Sequence, residues 1–453
     1  RAILATLGRV GQKEAVGPIS DAVDDPAEAV AAEAATALAS LVERRKVDAA
    51  ELDQAVERLK TRLEQIPVEN WQLRQPFVEA MARIGHEAFR DVFMSCLDKT
   101  NRPTIRQAAI RGLSKLGKAG VGKLLIEALG DSDAGVRQAA AEGLGRLGNA
   151  GAAEALFERL APSIEPDPNV QAEAWKSFVR LYQASSAQEQ LAWLKRIDAA
   201  ADATWAQRFV ELAKLAEGQL GSGGADFWAV QRDWGRALMT LQRYQEAAER
   251  LAAAYELASS SGDGQAGELA VMVVDAWLRA GEIDKASEYA SRLLQGGSEK
   301  LREAILELLR GQVEAALKAG QAETSLALLK RVDELFGQDL EASWKETFAR
   351  ARARAERLGR EKDAALLRQA IARLGGDEGD QARKQIMELG RRAVPQLAAE
   401  LMRLVRSENH DVALEKALLE ILTELAPEWQ GYDLKLPVDQ KCSRLQELAR
   451  PED

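Results

Sequence analysis

The feature of this sequence that most limits its fold is a spacing of 39 residues that recurs through its second half. Tyr244, Ile283, Ala322 and Glu361 follow one another at that interval, and a small residue stands three positions after each of them. A fixed period between about 20 and 50 residues is typical of proteins built from stacked repeats. Each repeat is then one supersecondary unit that buries its apolar face against its neighbours.

Composition indicates which kind of repeat to expect. Alanine, leucine, arginine and glutamate dominate, 29% of the residues are charged, and only 12 of the 453 are proline. These are strong helix formers, and β-branched residues are sparse. We therefore predict an all-α chain that folds as an α-solenoid of stacked antiparallel helical hairpins.

A second, shorter repeat occupies residues 1–183. Each copy has a polar turn of Asp, Asn or Pro, which also caps the next helix, followed by apolar residues at helical spacing. The anchors Ile105, Val136 and Val170 are 31 and 34 residues apart. This pattern resembles the HEAT-like repeat family in its short form. The resemblance covers about 1–183 and returns at about 380–425.

The 39-residue repeat begins in the stretch Trp228–Ser259, which predicts two antiparallel helices with a break near Gln242–Arg243. The small residues Gly235 and Ala247 would let these helices approach closely. Such positions resemble the tetratricopeptide (TPR) repeat family over about 225–373, although the period exceeds that family's usual ~34 residues. A fourth copy is expected around Phe348–Ile371, packed loosely or acting as a cap, because Arg352 stands where the first copy has Gly235.

The two resemblances predict four segments in chain order. They are a HEAT-like segment (1–183), an irregular helical connector (184–224), TPR-like repeats (225–376), and a C-terminal HEAT-like hairpin with a tail (377–453). Residues 2–7 read as the end of a helix already under way, so we expect a truncated N-terminus and leave the compartment open between cytoplasmic and exported. No apolar run approaches the ~20 residues that a membrane-spanning helix needs.

Few residues in this sequence suit catalysis. Cys96 and Cys442 are its only cysteines and lie at opposite ends of the chain, so a disulfide framework is excluded. With two histidines and no supporting motif, a nucleophile with a histidine base cannot be assembled. The glycines of 143–151 lie in a helix-turn-helix pattern and not after a strand, which excludes a dinucleotide-binding loop. We predict no catalytic residues and no cofactor.

A metal site is weighed separately. His86-Glu87 is similar to the His-Glu pairs with which one HEAT-like enzyme family, deoxyhypusine hydroxylase, holds two irons. That chemistry needs several converging pairs, since carboxylates and imidazoles must together satisfy the metals. Here there is one pair, and His410 is followed by Asp. We therefore predict no metal site and interpret His86 as a surface residue near a helix end.

The first candidate binding surface is a run from Lys99 to Ile126 with seven basic residues and no acidic one. The candidate basic patch consists of Arg106, Arg111, Lys115 and Lys118. Three interpretations stay open: a solvated helix face, a site for an acidic protein partner, or a nucleic-acid surface like that of HEAT-like glycosylases. The net charge of −10, spread over the whole chain, argues against nucleic acid.

The second candidate surface follows from the TPR resemblance, which implies a peptide groove lined by the first helix of each hairpin. The 39-residue register assigns to it Arg232, Arg236, Met239, Val271, Asp275, Arg279, Arg310, Glu314 and Lys318. Arg232 and Arg236 are four residues apart and suited to binding a carboxylate. An exposed helix face is the alternative.

These observations predict a non-enzymatic repeat scaffold or adaptor that binds a protein or peptide partner, acidic if the basic patch is used, on its concave face. One alternative is an enzyme or nucleic-acid-binding protein on a HEAT-like scaffold, similar to the chromophore lyases or the DNA glycosylases. The other is a purely structural spacer. The partner's identity and the oligomeric state do not follow from the sequence.

Overall fold

The computed structural model describes residues 1–44, 47–48, 52–117, 120–148, 151–220, 227–260, 265–295, 298–374, 376, 378–407, 411–430, 432 and 434–448. Over these residues the chain consists of helices and connecting turns, with no strand. The prediction of an all-α fold is confirmed. The chain divides into two compact units, which we call unit 1 (Arg1–Leu241) and unit 2 (Gln242–Asp453). That boundary falls inside Trp228–Ser259, and the four-segment division stays a prediction.

Unit 1 is built from helical hairpins. Its α-helices are α1 Ala2–Val10, α2 Val16–Asp21, α3 Glu28–Glu43, α4 Asp53–Gln65, α5 Trp71–Ile84, α6 Arg90–Cys96, α7 Pro103–Leu116, α8 Val121–Ala128, α9 Ala134–Leu147, α10 Ala152–Glu158, α11 Pro168–Ala184, α12 Ala187–Arg196, α13 Ala203–Leu220 and α14 Phe227–Thr240. The longer helices α3, α5, α7, α9 and α11 pack side by side in that order, and α2, α4, α6, α8 and α10 each pack against the helix that follows. The result is a layered stack.

Polar turns and glycines set the ends of these helices. The Asp133 carboxylate accepts a hydrogen bond from the Val136 amide, and that of Asp167 accepts from the amides of Asn169 and Val170, as the Asp-rich turns predict. At the other end, α5, α7 and α9 stop at Gly85, Gly117 and Gly148, whose φ values of 70°, 64° and 68° are left-handed. Glycine adopts this conformation without a steric penalty.

An arginine ladder joins successive repeats of unit 1. Arg74, Arg106 and Arg137 stand 32 and 31 residues apart, and each donates a hydrogen bond to a backbone carbonyl of the turn before its own helix. Arg106 also binds Asp131 through two hydrogen bonds of 2.9 and 2.7 Å. Arg137 binds Glu165 in the same way, at 2.7 Å for each bond. These are charge-assisted contacts between buried groups.

The ladder should make unit 1 sensitive to acid. Burial opposes ionisation of Asp131 and Glu165, but the guanidinium of Arg106 or Arg137 outweighs it and holds the pKa of each carboxyl below its usual range. A pKa depressed in the folded state stabilises the fold above the unfolded pKa, about 4 for these groups, and this stabilisation is lost as the pH falls through the folded pKa. The free energy of unfolding of unit 1, measured in urea by hydrogen exchange, should therefore fall between pH 5 and about pH 3. Arg106→Met/Arg137→Met should flatten this dependence.

Close packing of α9 on α11 depends on a glycine. A Cβ added at Gly145 would lie 2.9 Å from Ser177 Cα and 2.6 Å from Ser177 Cβ, so the backbones would have to separate. We expect Gly145→Ala to destabilise unit 1, since overpacking costs about 1–3 kcal/mol and the gain in helix propensity is at most about 1 kcal/mol. The matched control is Gly311→Ala in α18 (Glu299–Lys318), where a Cβ meets nothing within 4 Å. It should stabilise its helix. Urea unfolding of both variants checks this, and a neutral Gly145→Ala would contradict it.

Unit 2 contains the 39-residue repeats and a C-terminal group of helices. Its α-helices are α15 Tyr244–Ser260, α16 Ala266–Arg279, α17 Ile283–Leu294, α18 Glu299–Lys318, α19 Ala322–Phe336, α20 Ala342–Arg373, α21 Gly379–Leu389, α22 Val394–Val405, α23 Val412–Leu425 and α24 Val438–Leu448. Successive helices from α15 to α21 pack against one another, as do α22 with α23 and α22 with α24.

The 39-residue period corresponds to a repeated backbone turn. Gln242, Gly281 and Gly320 stand at that interval and have positive φ values of 58°, 80° and 73°. After the second and third of them, the amides of Glu282 and Gln321 donate to the carbonyls of Trp277 and Ala316, which closes the helix end in the usual left-handed manner.

The fourth hairpin predicted from this period does not form. Gly359, the next position in register, lies inside α20, which runs without a break through 32 residues from Ala342 to Arg373. The residues after Gly359 are Arg-Glu-Lys-Asp-Ala-Ala. This segment has no proline and no second glycine, and its residues favour continuation of the helix. The prediction of a fourth TPR-like hairpin is therefore wrong, and one long helix takes its place.

Candidate binding cleft

An open cleft of about 530 Å³ lies in unit 1 along α3, α5, α7 and α9. It is lined by Glu43, Glu79, Ala82, Arg83, Ala108, Arg111, Lys115 and Arg146. We call it the basic cleft, because four of these side chains are cationic and two are acidic. Its volume lies in the usual range for ligand sites.

The structure sorts the predicted basic patch into different environments. Arg111 and Lys115 lie one turn apart on α7, are exposed, and both line the basic cleft. Arg106 is buried, with 4% of its surface exposed, and belongs to the arginine ladder. It is therefore separate from the exposed surface. Lys118 lies outside the described residues.

Three charged residues of the cleft, Arg83, Arg146 and Glu43, lie in repeats outside the predicted basic patch. Arg83, Lys115 and Arg146 occupy equivalent positions, two residues before the glycines that end α5, α7 and α9. Glu43 comes from the last turn of α3. The C-terminal end of a helix favours cations, which suits this position. The signal was present in the sequence as Arg-Ile-Gly, Lys-Leu-Gly and Arg-Leu-Gly, at intervals of 32 and 31 residues.

Every acid at the cleft already accepts a hydrogen bond. Glu43 binds Arg83 through two bonds of 2.6 and 2.8 Å, and this bond from Arg83 holds the pKa of Glu43 below its usual range. Glu79 accepts from the Gln75 amide at 2.8 Å. Glu142, which borders Arg146 on α9, accepts from it at 2.6 Å. The acids therefore hold positions in the wall.

The cations are only partly used. Lys115 Nζ donates to the carbonyl oxygen of Arg83 at the end of α5. Burial, together with the neighbouring Arg83 guanidinium, lowers the pKa of Lys115 in spite of the nearby Glu43. Arg111 has no hydrogen-bond or ion-pair partner among the residues that the structure describes. A cation without a partner among these residues, in a cleft lined by four cations and two acids, is suited to receiving an anion.

The predicted peptide groove presents a different charge pattern. In unit 1, Arg232 binds Asp233 at 2.9 Å and stacks on the Trp228 ring at 5.2 Å, while Arg236 lies 3.8 Å from the same carboxylate. The Asp233 carboxylate thus takes the position that we predicted for a ligand. Met239 is half-buried on α14.

The groove residues of unit 2 lie on α16 and α18. Arg279 binds Asp275 at 2.9 Å, and Arg310 binds Glu314 at 2.9 Å and Glu307 at 2.6 Å. Val271 is half-buried, and Lys318 is exposed. Cations and anions therefore alternate along these helices in pairs three or four residues apart, which is the arrangement of a solvated, self-neutralised face.

The histidine of the weighed metal motif has an ordinary structural position. His86 Nδ1 accepts from the Ala88 amide at 3.2 Å, and Nε2 lies 3.2 Å from an Asp53 carboxylate oxygen. Within the described ranges, no group of three or more His, Cys, Asp and Glu side chains could hold a metal ion. His410 lies outside them.

Of the helices that the structure describes, none has the length and apolar character needed to cross a membrane.

The fold and the cleft define a repeat protein, an all-α stack of helical hairpins with a cation-lined surface in unit 1. The family described as HEAT repeats matches residues 56–135 and 122–208. This range includes all three helices of the arginine ladder, α5, α7 and α9, and continues past the predicted boundary at 184. The TPR resemblance of the 39-residue repeats stays a prediction.

Comparison with solved structures finds an engineered protein and a tandem repeat protein at low similarity. An engineered protein from a structural genomics consortium is 17% identical, with a TM-score of 0.37, over 78% of this chain and 93% of that one. A circular tandem repeat protein with novel repeat topology is 17% identical, with a TM-score of 0.20, over 99% and 98% of the two chains. Among curated proteins, none matches.

Proposed function

We propose that this chain is a non-enzymatic repeat scaffold that binds an acidic segment of a partner protein in the basic cleft. The observation that carries the proposal is Arg111, an exposed arginine with no partner among the described residues, in a cleft whose acids are already hydrogen-bonded. Arginine is enriched at the energetic centres of protein interfaces, since its planar fork binds carboxylates through two hydrogen bonds. HEAT repeats, matched over 56–208, provide a rigid stack on which such a cleft is preformed.

The basic cleft is a better candidate than the predicted peptide groove. Arg232, Arg236, Arg279 and Arg310 of that groove each lie beside a carboxylate of their own helix. A partner's carboxylate would have to displace one of these. Arg111 requires no such exchange, so the net gain on binding is larger there.

Charge reversal at the basic cleft tests the proposal. A fluorescent deca-glutamate peptide should bind the intact chain at low salt and lose at least about tenfold in affinity with Arg111→Glu/Arg146→Glu, since each charge-assisted hydrogen bond contributes about 1.5–3 kcal/mol. Lys123→Glu reverses an exposed cation of α8, away from the residues that line the cleft; it is the matched control and should bind nearly as well as the wild type. Arg232→Glu/Arg236→Glu tests the groove in the same assay.

The binding results for these variants distinguish between the basic cleft, the predicted groove and a nonspecific effect of charge. A loss confined to Arg111→Glu/Arg146→Glu supports the cleft. A loss confined to Arg232→Glu/Arg236→Glu transfers the function to the predicted groove. An equal loss in all variants, the control included, means that the peptide senses only overall charge and contradicts both sites.

A further inference from the structure

The cations of the basic cleft offer more hydrogen-bond donors than a carboxylate can accept. We infer that the cleft recognises a phosphate group carried by the partner segment, such as a phosphorylated serine or threonine, held between Arg111, Lys115 and Arg146. This inference rests on the proposed function of the cleft and names its ligand. Nothing in the HEAT repeat match assigns such a site.

The cations of the basic cleft have hydrogen-bond donors that no described residue uses. All the guanidinium N–H groups of Arg111 are free of partners among the described residues. Lys115 spends one ammonium proton on the Arg83 carbonyl and keeps the others, and Arg146 uses a single terminal nitrogen for Glu142. A carboxylate has two oxygens to offer these donors. A phosphate monoester has three and accepts a guanidinium fork on one edge while an ammonium group binds another.

The acids of the cleft form its second element. An anion entering the cleft would be repelled by free carboxylates, but Glu43 is held by two bonds from Arg83. Glu79 is turned toward Gln75. Their charges therefore fix Arg83 against the wall and leave Arg111, Lys115 and Arg146 as the cations that face an incoming group.

Charge is the third element. Lys115 is exposed at the cleft, yet burial and the Arg83 guanidinium lower its pKa in spite of the nearby Glu43. The lining of the cleft as a whole carries four cationic and only two acidic side chains, an excess of positive charge. A phosphate with a charge of about −1.5 to −2 offsets this more than a carboxylate does, which favours the phosphorylated form of a segment over its unmodified or glutamate form.

The test compares two short probes that differ only in the anion. One is an acetylated, amidated pentapeptide with phosphoserine between glycine pairs, and the other has glutamate at that place. Isothermal titration with the full chain should give an affinity at least about tenfold higher for the phosphoserine probe, as expected for one additional charge-assisted contact. Arg111→Gln should abolish this difference. Lys123→Gln, which removes an exposed cation of α8, should preserve it.

Substitutions of Arg111 should affect binding and not folding, because Arg111 has no hydrogen-bond or ion-pair partner among the described residues. Arg111→Lys keeps the charge but loses the fork, and it should retain less than half of the preference for phosphoserine. Hydrogen exchange of α7 and α9 in each variant verifies the fold. If Lys123→Gln reduces binding as much as Arg111→Gln does, binding is nonspecific and the inference fails.

Other outcomes separate the inference from the proposed function. Equal affinity for the two probes, with deca-glutamate binding still lost in Arg111→Glu/Arg146→Glu, overturns the phosphate inference and leaves the acidic-segment function standing. Failure of both probes and of deca-glutamate overturns both. Stronger binding of a DNA duplex than of the phosphoserine probe, lost in Arg111→Gln, would overturn both in favour of a nucleic-acid surface.

Discussion

Arg137→Met is expected to destabilise unit 1 by about 3–5 kcal/mol at neutral pH, the usual cost of removing one partner from a buried ion pair. Glu165 would be left as a fully buried carboxylate, with 0% of its side chain exposed. Of the hydrogen bonds that the described residues donate to this carboxylate, it would keep the one from the Asp167 amide at 3.0 Å. The backbone carbonyl of Asp131 would lose its bond from Arg137 as well.

The control for this substitution lies on the same helix. Arg146 binds Glu142 at 2.6 Å, a distance as short as that in the Arg137 pair, but 53% and 35% of the two side chains are exposed. Arg146→Met should cost no more than about 1 kcal/mol, since water replaces the lost contact. Hydrogen exchange of the peptides covering α9 and α11, measured against urea concentration, gives both values. Similar losses for the two variants would show that burial of the pair is not what matters.

Two further results would identify the mechanism. The cost of Arg137→Met should shrink as the pH falls below about 4, because Glu165 can then bind a proton and lose its unpaired charge. Arg137→Met/Glu165→Met should recover much of the stability, since apolar replacements of a buried pair are often neutral or better. A double variant as unstable as Arg137→Met alone would contradict this account.

The arginine ladder also shows what the sequence could and could not reveal. Arg106 and Arg111 belong to one run of basic residues, yet one is buried and the other exposed. The difference arises because Asp131, from the turn after the next helix, reaches Arg106. The period itself carries this information, since Arg74, Arg106 and Arg137 recur with it. Comparison of register across repeats, and not charge counting within one, would have separated the two arginines.

The 39-residue repeats give the complementary lesson. The spacing of Gly281 and Gly320 predicts turns that the backbone forms, because glycine adopts a positive φ easily. Gly359 has the same spacing but stays helical, since the strong helix formers around it continue α20. A glycine permits a turn without requiring one. Only part of the basic cleft could be predicted from the sequence. Arg111 and Lys115 share a helix, whereas Arg83 and Arg146 come close to them through the packing of α5, α7 and α9.

Lys441→Met is expected to produce the second large effect, at the other end of the chain. Glu415 of α23 is fully buried and accepts two hydrogen bonds from Lys441 of α24, at 2.9 and 3.1 Å. The Tyr432 hydroxyl donates to the same carboxylate at 3.1 Å. Only 6% of the Lys441 side chain is exposed. Its removal leaves a buried carboxylate without the Lys441 ammonium that neutralises it, so we expect a local loss of about 3–5 kcal/mol.

The loss should concentrate in α24. This helix packs on α22, and among its described side chains Leu445 is the fully buried apolar one, so the ion pair contributes much of its attachment. Burial and the Glu415 carboxylate both raise the pKa of Tyr432, so its hydroxyl stays protonated and remains a neutral donor to Glu415. Hydrogen exchange should therefore accelerate in α24 first and in α23 next, while α16–α19 remain protected.

Lys416→Met is the matched control, since Lys416 follows Glu415 on α23 but forms an exposed pair with Glu420 at 4.0 Å. It should leave exchange in α24 unchanged, within the ~1 kcal/mol of a surface pair. Glu415→Gln/Lys441→Met removes both charges and keeps an acceptor for Tyr432, and it should restore most of the protection of α24. If the double variant exchanges as fast as Lys441→Met, the lysine stem and not its charge attaches the helix. That result would contradict the hypothesis that the ion pair between Glu415 and Lys441 attaches α24.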